Sequence, residues 1–240
     1  MSKVKTVSRV RIYKNMDGVN KIEQNYAQQF KENNYVHVKN FLTREMAKYL
    51  YDYSLIKSDA IKAMVLRGYI KFDTFLGSFS EAQVPDSFGM YGDFAMETLL
   101  KNSTQKMEEV TGLTLCPTYS YQRIYREGQN LNRHKDRPSC EISATVCLGY
   151  DYSNAPDGYD WGMYVEKSGE VGQEGKEVCL AEGDAIIYRG CDIEHWRDTF
   201  KGNIQSQVFL HYNNIDGPFS TQNKYDTRPL LGLPSDFKKQ

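Results

Sequence analysis

Histidine is scarce in this chain, and long apolar runs are missing. The 240 residues include only four histidines, His37, His134, His195 and His211. No segment is apolar over the roughly 20 residues that a membrane-spanning helix needs, and the first residues lack the apolar core of a secretory signal. We therefore expect a soluble, cytoplasmic protein with no membrane partner, in which any metal site or acid–base site must draw on very few imidazoles.

Paired cysteines and an excess of either charge are also missing. The odd number of cysteines and the lack of Cys-X-X-Cys spacing favour reduced thiols over disulfides. The formal net charge of −1 gives no reason to expect a nucleic acid partner. No proline- or serine-rich linker divides the chain, so we expect a single domain over residues 1–240. The cysteines are Cys116, Cys140, Cys147, Cys179 and Cys191.

Helical spacing of apolar residues is confined to the first half of the chain. Residues 21–32 carry an apolar residue at every fourth position, which predicts a short helix. Residues 35–39 follow as a predicted strand. His37 lies within that strand without an acidic residue two positions away, so we interpret it as structural.

Capping residues predict two further helices. Thr43 is a suitable N-cap for a helix that carries Met46, Leu50 and Tyr53 on one side. Asp93 is a suitable N-cap for the next helix, and Gly112 would end it. The helical part of the chain is therefore expected to span residues 1–112.

Between these helices and after them, the signals change. Glycine and proline interrupt residues 57–90, which predicts a long irregular loop. Residues 113–212 are rich in β-forming residues separated by turn residues, and residues 213–240 are predicted to be an irregular tail. The order of helices before strands favours a β-sandwich or barrel with helices packed on one outer face. The predicted strands are Thr118–Arg126, Glu141–Leu148, Trp161–Glu166, Glu177–Leu180, Ala185–Tyr188 and Gln205–Tyr212.

The last predicted strand has two different faces. Its even positions, from Ser206 to Tyr212, are largely apolar and suit contact with the helices. Its odd positions, from Gln205 to His211, alternate polar and aromatic side chains. We expect this second face to point into a partly polar cavity, where His211 could lie close to a metal site.

A His-X-Asp pair is the strongest sign of chemistry in the chain. His134 and Asp136 project from the same face of an extended segment, where an imidazole and a carboxylate can bind one metal ion. His195 lies far enough along the chain to fold back beside them as a third ligand. Two imidazoles and one carboxylate form the facial triad of non-haem Fe(II) oxygenases. The same three ligands, with an open position, could also hold a catalytic zinc ion.

Two motifs with the expected order and spacing resemble the Fe(II)- and 2-oxoglutarate-dependent dioxygenases, especially their prolyl-hydroxylase-like branch. They are Tyr125-Arg-Glu-Gly-X-X-Leu-X-X-His134-X-Asp136 and Glu182-Gly183-Asp184-Ala-Ile-Ile-Tyr188, the second leading to His195. The resemblance implies a double-stranded β-helix, a jelly-roll or cupin-like barrel. It also implies that His134, Asp136 and His195 bind iron and that Tyr125 lines the cosubstrate pocket. The implied cofactors are Fe(II), 2-oxoglutarate and O₂, with ascorbate as an accessory reductant.

One position departs from the family pattern. Members commonly carry an Arg or Lys about ten residues after the distal histidine, where it pairs with the far carboxylate of 2-oxoglutarate, but this chain has Gln205 there, followed by Gln207 on the same face. Neutral amides alone match a desolvated carboxylate poorly. We expect the cation to come from Arg197, on the same side of its strand as His195, or from Arg123, on the same side as Tyr125.

The substrate is expected to be polar or zwitterionic, either a small molecule or a side chain of a protein or peptide. Glu141 begins a strand whose inward face should line the barrel, and we place it near the mouth. Arg137, Arg189 and Trp161 complete the predicted polar rim. These four residues are the candidate substrate-binding residues.

Two other functions use the same residues. A zinc-dependent hydrolase would need a general base near the metal, and Glu141 is the candidate for it. A jelly-roll protein could instead bind a glycan or a peptide without turnover. These alternatives differ from an oxygenase in whether iron and 2-oxoglutarate bind at one centre.

Overall fold

The computed structural model describes residues 25–71 and 75–237. In this part of the chain, three α-helices precede or flank a set of β-strands. The helices are α1 (Tyr26–Asn33), α2 (Arg44–Leu66) and α3 (Phe94–Thr111). None of them has both the length and the apolar character that crossing a membrane requires.

The predicted capping residues begin and end these helices. The Thr43 side chain accepts a hydrogen bond from the Met46 amide, and the Asp93 carboxylate accepts from the amides of Ala95 and Met96. Gly112 ends α3 in the left-handed conformation that a glycine adopts without strain. Both predicted N-caps and the predicted C-cap are confirmed. The start of the helix predicted over 21–32 lies outside the described residues.

The strands form two antiparallel sheets. The larger sheet has the order β1-β9-β6-β11-β4-β3-β2, and the smaller has the order β5-β10-β7-β8. The predicted β-rich second half is confirmed. The strands are β1 (Tyr35–Val38), β2 (Ser78–Ser80), β3 (Pro85–Tyr91), β4 (Leu115–Arg126), β5 (Leu131–His134), β6 (Ile142–Asp151), β7 (Met163–Val165), β8 (Lys176–Val178), β9 (Ala185–Arg189), β10 (His195–Arg197) and β11 (Ile204–Asn214).

Strand β11 separates the helical side of the large sheet from the barrel interior. Val208, Leu210 and Tyr212 are fully buried in the core that includes helical residues. The Tyr212 hydroxyl donates a hydrogen bond of 2.7 Å to the Leu100 carbonyl of α3. On the opposite face, Phe209 and His211 line a cavity. The alternation predicted for this strand is confirmed.

Residues 57–90 are more regular than predicted. Helix α2 continues to Leu66, and β2 and β3 then extend the edge of the large sheet. Glycine and proline within this segment suggested a loop. Pro85, however, is the first residue of β3, a position where its missing N–H is tolerated. The prediction of one long irregular loop over 57–90 is therefore wrong.

The predicted buried side of α2 is also partly wrong. Leu50 is buried, but Met46 is 48% exposed. The buried stripe instead includes Ala47, Ser54 and Ser58. Small residues allow α2 to approach the sheet closely, and the Ser54 hydroxyl lies 2.8 Å from that of Ser206 on β11.

The segment after β11 is fixed to the barrel by a buried ion pair. Arg228 and Glu97 of α3 lie 2.7 Å apart with almost no solvent exposure. The Arg228 guanidinium also donates to the carbonyls of Thr118 and Leu233. Strand β11 extends to Asn214, and the described residues after it, 215–237, form one short 3₁₀ turn and otherwise irregular structure.

We expect Arg228→Met to destabilise the protein by roughly 3–5 kcal/mol, because the Glu97 carboxylate would remain buried without its partner. Urea unfolding measures the change. Lys48→Met is the matched control, because it breaks the exposed Lys48–Asp52 pair and should cost less than about 1 kcal/mol. Equal losses in the two variants would contradict the prediction.

Candidate metal centre and active site

The three predicted ligands lie at the ends of adjacent strands. His134 is the last residue of β5, and His195 is the first residue of β10. The two histidines are paired across these antiparallel strands. Asp136 follows β5 by two residues, and its amide donates a hydrogen bond of 2.8 Å to the Gly190 carbonyl. Pairing of β5 with β10 therefore brings together residues that are distant in sequence.

The side chains of the triad converge. The Asp136 Oδ1 atom lies 3.6 Å from His134 Nε2 and 3.5 Å from His195 Nε2. The two imidazole centroids are 4.3 Å apart. One donor atom from each residue falls within 4.8 Å of the other two, so the three can hold one metal ion.

Hydrogen bonds orient both imidazoles toward this point. His134 Nδ1 lies 2.8 Å from the Asn132 carbonyl, and His195 Nδ1 lies 3.3 Å from the Ile193 carbonyl. A backbone carbonyl can only accept, so Nδ1 carries a proton in both rings, and Nε2, which faces Asp136, can bind a metal once it has lost its own proton. This arrangement, in which the second ring nitrogen donates to a carbonyl, is typical of metal-binding histidines.

The carboxylate of the triad is held in its charged form. Burial alone would raise the pKa of Asp136, but the charge of His195 and hydrogen bonds from both imidazoles hold this pKa far below its usual value. Ser143 donates to the other carboxylate oxygen over 3.2 Å. The Ser143 hydroxyl also lies 2.8 Å from His211 Nδ1, so His211 contacts the triad through Ser143.

Gly190 leaves room for the Asp136 side chain. A Cβ atom at residue 190 would overlap both Asp136 Oδ2 and the Cys140 carbonyl oxygen. One of these atoms belongs to the backbone, so the overlap cannot be relieved by a side-chain rotation alone. The glycine therefore sets the position of the candidate ligand.

We expect Gly190→Ala to displace Asp136 and to weaken metal binding by at least ~10–100-fold, the range seen when a group that orients a metal ligand is lost. Calorimetric titration with a divalent metal measures the change. Gly172→Ala is the control: a Cβ there meets no atom within 4 Å, although its positive φ adds strain. Unchanged metal affinity in Gly190→Ala would contradict this role.

A cavity of about 290 Å³ opens beside the triad. Its wall combines aromatic rings with charged groups of both signs. The lining residues are Glu81, Gln83, Tyr119, Tyr121, Arg123, Leu131, His134, Lys135, Asp136, Arg137, Cys140, Met163, Tyr188, His195, Phe209 and His211.

Arg197 lies fully buried in the barrel interior without an acidic partner in the described structure. Its Nη1 donates to the Trp161 carbonyl over 3.0 Å, and its guanidinium stacks on the Trp161 ring at 4.6 Å. Its Nε and Nη2 have no hydrogen-bond partner among the described residues. Burial lowers the pKa of Arg197, and the groups that oppose this are tyrosines and a cysteine. A buried guanidinium with two unpaired nitrogens has the chemistry to bind an anion.

Arg123 is also buried, but its charge is already paired. Its Nη2 lies 2.7 Å from Glu81 and 2.9 Å from the Gln83 side chain, and its Nη1 donates to the Tyr125 hydroxyl over 3.1 Å. Arg123 lines the cavity beside the triad, whereas Arg197 does not. The two predicted cations therefore differ in place and pairing. Arg123 lies in the cavity wall with its charge paired, whereas Arg197 is buried outside that wall with no acidic partner in the described structure.

The remaining predicted cosubstrate residues lie in the barrel interior. Tyr125 is completely buried and packs edge-on against Trp161 at 4.9 Å. Gln205 accepts a hydrogen bond from the Tyr152 hydroxyl. Gln207 is fully buried, and neither end of its amide has a partner among the described residues. Gln207 is thus, like Arg197, a buried polar side chain with atoms that have no described hydrogen-bond partner.

Three of the four predicted rim residues lie elsewhere. Glu141 accepts hydrogen bonds from the amide of Asn214 and the side chain of Asn213. Arg189 stacks over Phe30 of α1, and Trp161 is a buried partner of Arg197. These three do not line the cavity, so the predicted rim is wrong for them. Glu141 follows the 3₁₀ turn at Pro138–Cys140, and its carboxylate bonds to the end of β11.

Arg137 does lie at the cavity, and a tail residue holds it there. Both of its terminal nitrogens donate to the Asp226 carboxylate, over 2.7 and 2.9 Å. Asp226 also accepts from the hydroxyls of Ser139 and Tyr91. Asp226 was not predicted, because its local sequence carries no signal that places it beside Arg137.

Comparison with solved structures identifies the architecture. An oxidoreductase of the 2OG-Fe(II) oxygenase family from Burkholderia pseudomallei has a TM-score of 0.54 and 16% identity, covering 86% of this chain and 95% of its own. A prolyl-4-hydroxylase from Pseudomonas putida has a TM-score of 0.52 and 13% identity, covering 79% and 97%. This chain has the fold of these oxygenases. The predicted double-stranded β-helix is therefore confirmed.

A structure with bound ligands is also similar. HygX from Streptomyces hygroscopicus, with nickel and 2-oxoglutarate bound, has a TM-score of 0.54 and 10% identity, covering 80% of this chain and 87% of its own. By sequence, no family model and no curated protein matches this chain. At these identities the similarity concerns the fold, and the chemistry must be argued from the residues of this chain.

Proposed function

We propose that this chain is a non-haem Fe(II)- and 2-oxoglutarate-dependent oxygenase that hydroxylates a polar substrate and releases succinate and CO₂. The observation that carries the proposal is the convergence of His134, Asp136 and His195 within a barrel of the oxygenase fold. Two imidazoles and a carboxylate that leave coordination positions open are the donor set of this enzyme class.

The three donor side chains, as they are arranged in this structure, suit a divalent metal ion. The pKa of Asp136 is held low, so the carboxylate is charged without a metal. Both histidines present Nε2 to the same point because Nδ1 donates to a carbonyl. Metal binding would therefore require little rearrangement of these three side chains, which favours a preformed site.

The barrel interior also suits a dicarboxylate. We assign Arg197 as the partner of the far carboxylate of 2-oxoglutarate, because its Nε and Nη2 are buried donors without an acceptor in the described structure. Gln207 offers a further buried amide from β11 that has no partner among the described residues. Tyr125 and Gln205 would complete the polar surroundings. Arg123, whose charge Glu81 already offsets, is assigned to the cavity wall and not to the cosubstrate.

The residues of the chain place the reactants and exclude water. Bound iron, together with 2-oxoglutarate and O₂, would supply the oxidant that removes a hydrogen atom from the substrate. His134, Asp136 and His195 would fix the position of that chemistry. Tyr188 and Trp161 are almost completely buried beside the interior and keep it dry. The protein would contribute coordination and placement and not acid–base catalysis.

The cavity wall indicates a substrate with polar groups and an apolar or planar part. The charged groups of this cavity include Lys135 and the ion-paired Arg137 and Glu81, and tyrosine rings also form part of its wall. We propose a small molecule or a protein side chain of this character. Hygromycin B is bound in one structure of HygX, which illustrates a small molecule bound on this fold.

A zinc hydrolase has less support. The candidate general base, Glu141, is bound to Asn213 and Asn214 and does not line the cavity. A metal-bound water there would lack that base. A binding protein without turnover remains the other alternative, and it makes no use of the unpaired Arg197.

An anaerobic titration tests the proposal. The metal-free protein is titrated with Fe(II) and then with 2-oxoglutarate, and we expect the visible charge-transfer absorption of the oxygenase family to develop only when both are present. Admission of air should then yield succinate. Zinc in place of iron is the control and should give neither signal. Absence of both the absorption and succinate with iron would contradict the proposed function.

A further inference from the structure

A cysteine and a tyrosine face each other in the cavity wall. The Cys140 Sγ atom lies 3.0 Å from the Tyr119 hydroxyl oxygen. Both residues are buried, and both line the cavity that contains the triad. The ring carbons next to the hydroxyl are only two bonds from that oxygen, so the sulfur also lies close to the aromatic ring.

The tyrosine ring is held in place from several sides. Tyr119 stacks on Tyr91 with centroids 4.8 Å apart and packs against His211 at 4.5 Å. The Arg137 guanidinium lies 4.5 Å above the same ring and is itself fixed by Asp226. The ring therefore has little freedom to turn away from Cys140.

The cysteine is held by the backbone of a tight turn. Cys140 ends the 3₁₀ turn at Pro138–Cys140, and its amide donates to the Arg137 carbonyl over 2.8 Å. Its carbonyl oxygen lies 3.0 Å from the Ser143 hydroxyl oxygen. The sulfur and the phenol thus belong to rigid segments, and their contact is part of the folded structure.

The pair also lies next to the proposed iron site. One donor atom from each of Asp136, Cys140 and His211 falls within 4.8 Å of the other two. Asp136 is one of the three proposed iron ligands. The Cys140 sulfur therefore lies close to the proposed iron site, where the oxidant would form. Other thiols are placed differently: Cys116 contacts the Pro117 carbonyl, and Cys191 contacts the Arg137 carbonyl.

We propose that turnover without substrate joins Cys140 to Tyr119 through a thioether bond between Sγ and the ring carbon next to the hydroxyl. This inference rests on the proposed function, which supplies the oxidant. The cross-link would tie β4 to the turn before β6 and would fix one wall of the cavity.

The reaction balances with the reactants of the proposed function. The S–H bond of Cys140 and one C–H bond of Tyr119 break, and one C–S bond forms, which releases two protons and two electrons. One oxygen atom of O₂ accepts these and becomes water. The other oxygen atom enters succinate as 2-oxoglutarate loses CO₂. No further oxidant or reductant is needed.

The protonation of the pair favours this route over thiolate chemistry. Burial raises the pKa of the Cys140 thiol and that of the Tyr119 phenol well above their usual values. Both groups are therefore neutral near pH 7, and the thiolate that drives disulfide exchange is scarce. Removal of a hydrogen atom from a neutral group by a neighbouring oxidant does not require that thiolate.

Mass spectrometry of the purified full chain tests the inference. The protein is incubated with Fe(II), 2-oxoglutarate and air without substrate, reduced with dithiothreitol and digested with trypsin, while succinate is measured in parallel. We expect a cross-linked species that joins peptides 107–123 and 136–167 and lacks the mass of two hydrogen atoms. Reduction separates this thioether from a disulfide of the same mass.

Matched variants identify the atoms. Cys140→Ser and Tyr119→Phe should each abolish the cross-linked species, because one lacks the sulfur and the other lacks the phenol. Cys116→Ser removes a different buried thiol from the same tryptic peptide as Tyr119 and should leave the cross-link intact. Omission of 2-oxoglutarate should prevent it in the unaltered chain.

The outcomes separate this inference from the function on which it rests. Succinate without the cross-link would overturn the thioether and leave the oxygenase proposal standing. Addition of one oxygen atom to Tyr119 in place of the cross-link would also overturn it, as self-hydroxylation. Absence of both succinate and the cross-link would overturn the two proposals together.

Discussion

Asp136→Ala is expected to abolish iron-dependent succinate formation. The variant loses the one anionic ligand of the proposed centre, and two neutral imidazoles remain to hold a divalent cation. Loss of a group that merely orients a ligand costs 10–100-fold in metal affinity, so loss of the ligand itself should cost more than ~100-fold. Iron content after gel filtration and the anaerobic absorption with 2-oxoglutarate measure this effect directly.

The fold should survive this change. Asp136 lies after β5 at the cavity. The hydrogen bond from its backbone amide to the Gly190 carbonyl does not involve the side chain. Asp157→Ala, in an exposed turn, is the matched control and should retain iron binding and turnover. Circular dichroism of both variants checks the fold. Undiminished 2-oxoglutarate consumption by Asp136→Ala would contradict the assignment of this ligand.

Local chemistry explains which parts of the fold could be predicted. Thr43 and Asp93 satisfy free amides at helix starts, and Gly112 accepts a left-handed backbone, so each acts through its immediate neighbours. The alternation along β11 likewise follows from the period of an extended chain. Such features can be derived from a few adjacent residues.

Features that depend on packing could not be predicted in this way. The buried side of α2 includes Ala47 and Ser54, because close approach to the sheet selects small residues over the larger Met46. Strands β2 and β3 exist because β4 offers a free edge, with Gly89 paired to Arg123. Neither condition is visible within residues 57–90 alone.

The same distinction between local and long-range determinants applies to the candidate site. The positions of His134 and Asp136 follow from their spacing, and His195 joins them as the sequence analysis predicted. The surroundings depend instead on distant contacts, such as Asp226 from the tail holding Arg137. Glu141 likewise bonds to Asn213 and Asn214 at the end of β11 and does not line the cavity.

Arg197→Met is expected to have opposite effects on stability and on cosubstrate binding. In the protein without 2-oxoglutarate, the Arg197 guanidinium is buried and unpaired apart from one carbonyl. Replacing such a charge by an apolar side chain of similar length should stabilise the metal-free protein by roughly 1–4 kcal/mol. Urea unfolding of the metal-free variant measures this gain.

The same substitution should remove most of the affinity for 2-oxoglutarate. Truncating one partner of a buried charge pair costs about 2–5 kcal/mol, which corresponds to a loss of roughly 30- to 4,000-fold in affinity. Anaerobic calorimetry with the metal-loaded protein measures it. Arg197→Lys keeps the charge but lacks the planar fork that matches a carboxylate, so it should fall between the unaltered chain and Arg197→Met.

Arg123→Met distinguishes the two cations. Arg123 already neutralises Glu81, so its loss leaves a carboxylate without its partner and should lower the stability of the metal-free protein. Its effect on 2-oxoglutarate affinity should be much smaller than that of Arg197→Met. If Arg123→Met instead abolished binding while Arg197→Met left it intact, the far carboxylate would belong to Arg123. An enzyme that lacks the usual cation on β11 would then have replaced it from β4 and not from β10. Urea unfolding of the two metal-free variants also distinguishes the arginines without any assay of turnover. Only the removal of an uncompensated buried charge should increase the stability of the protein.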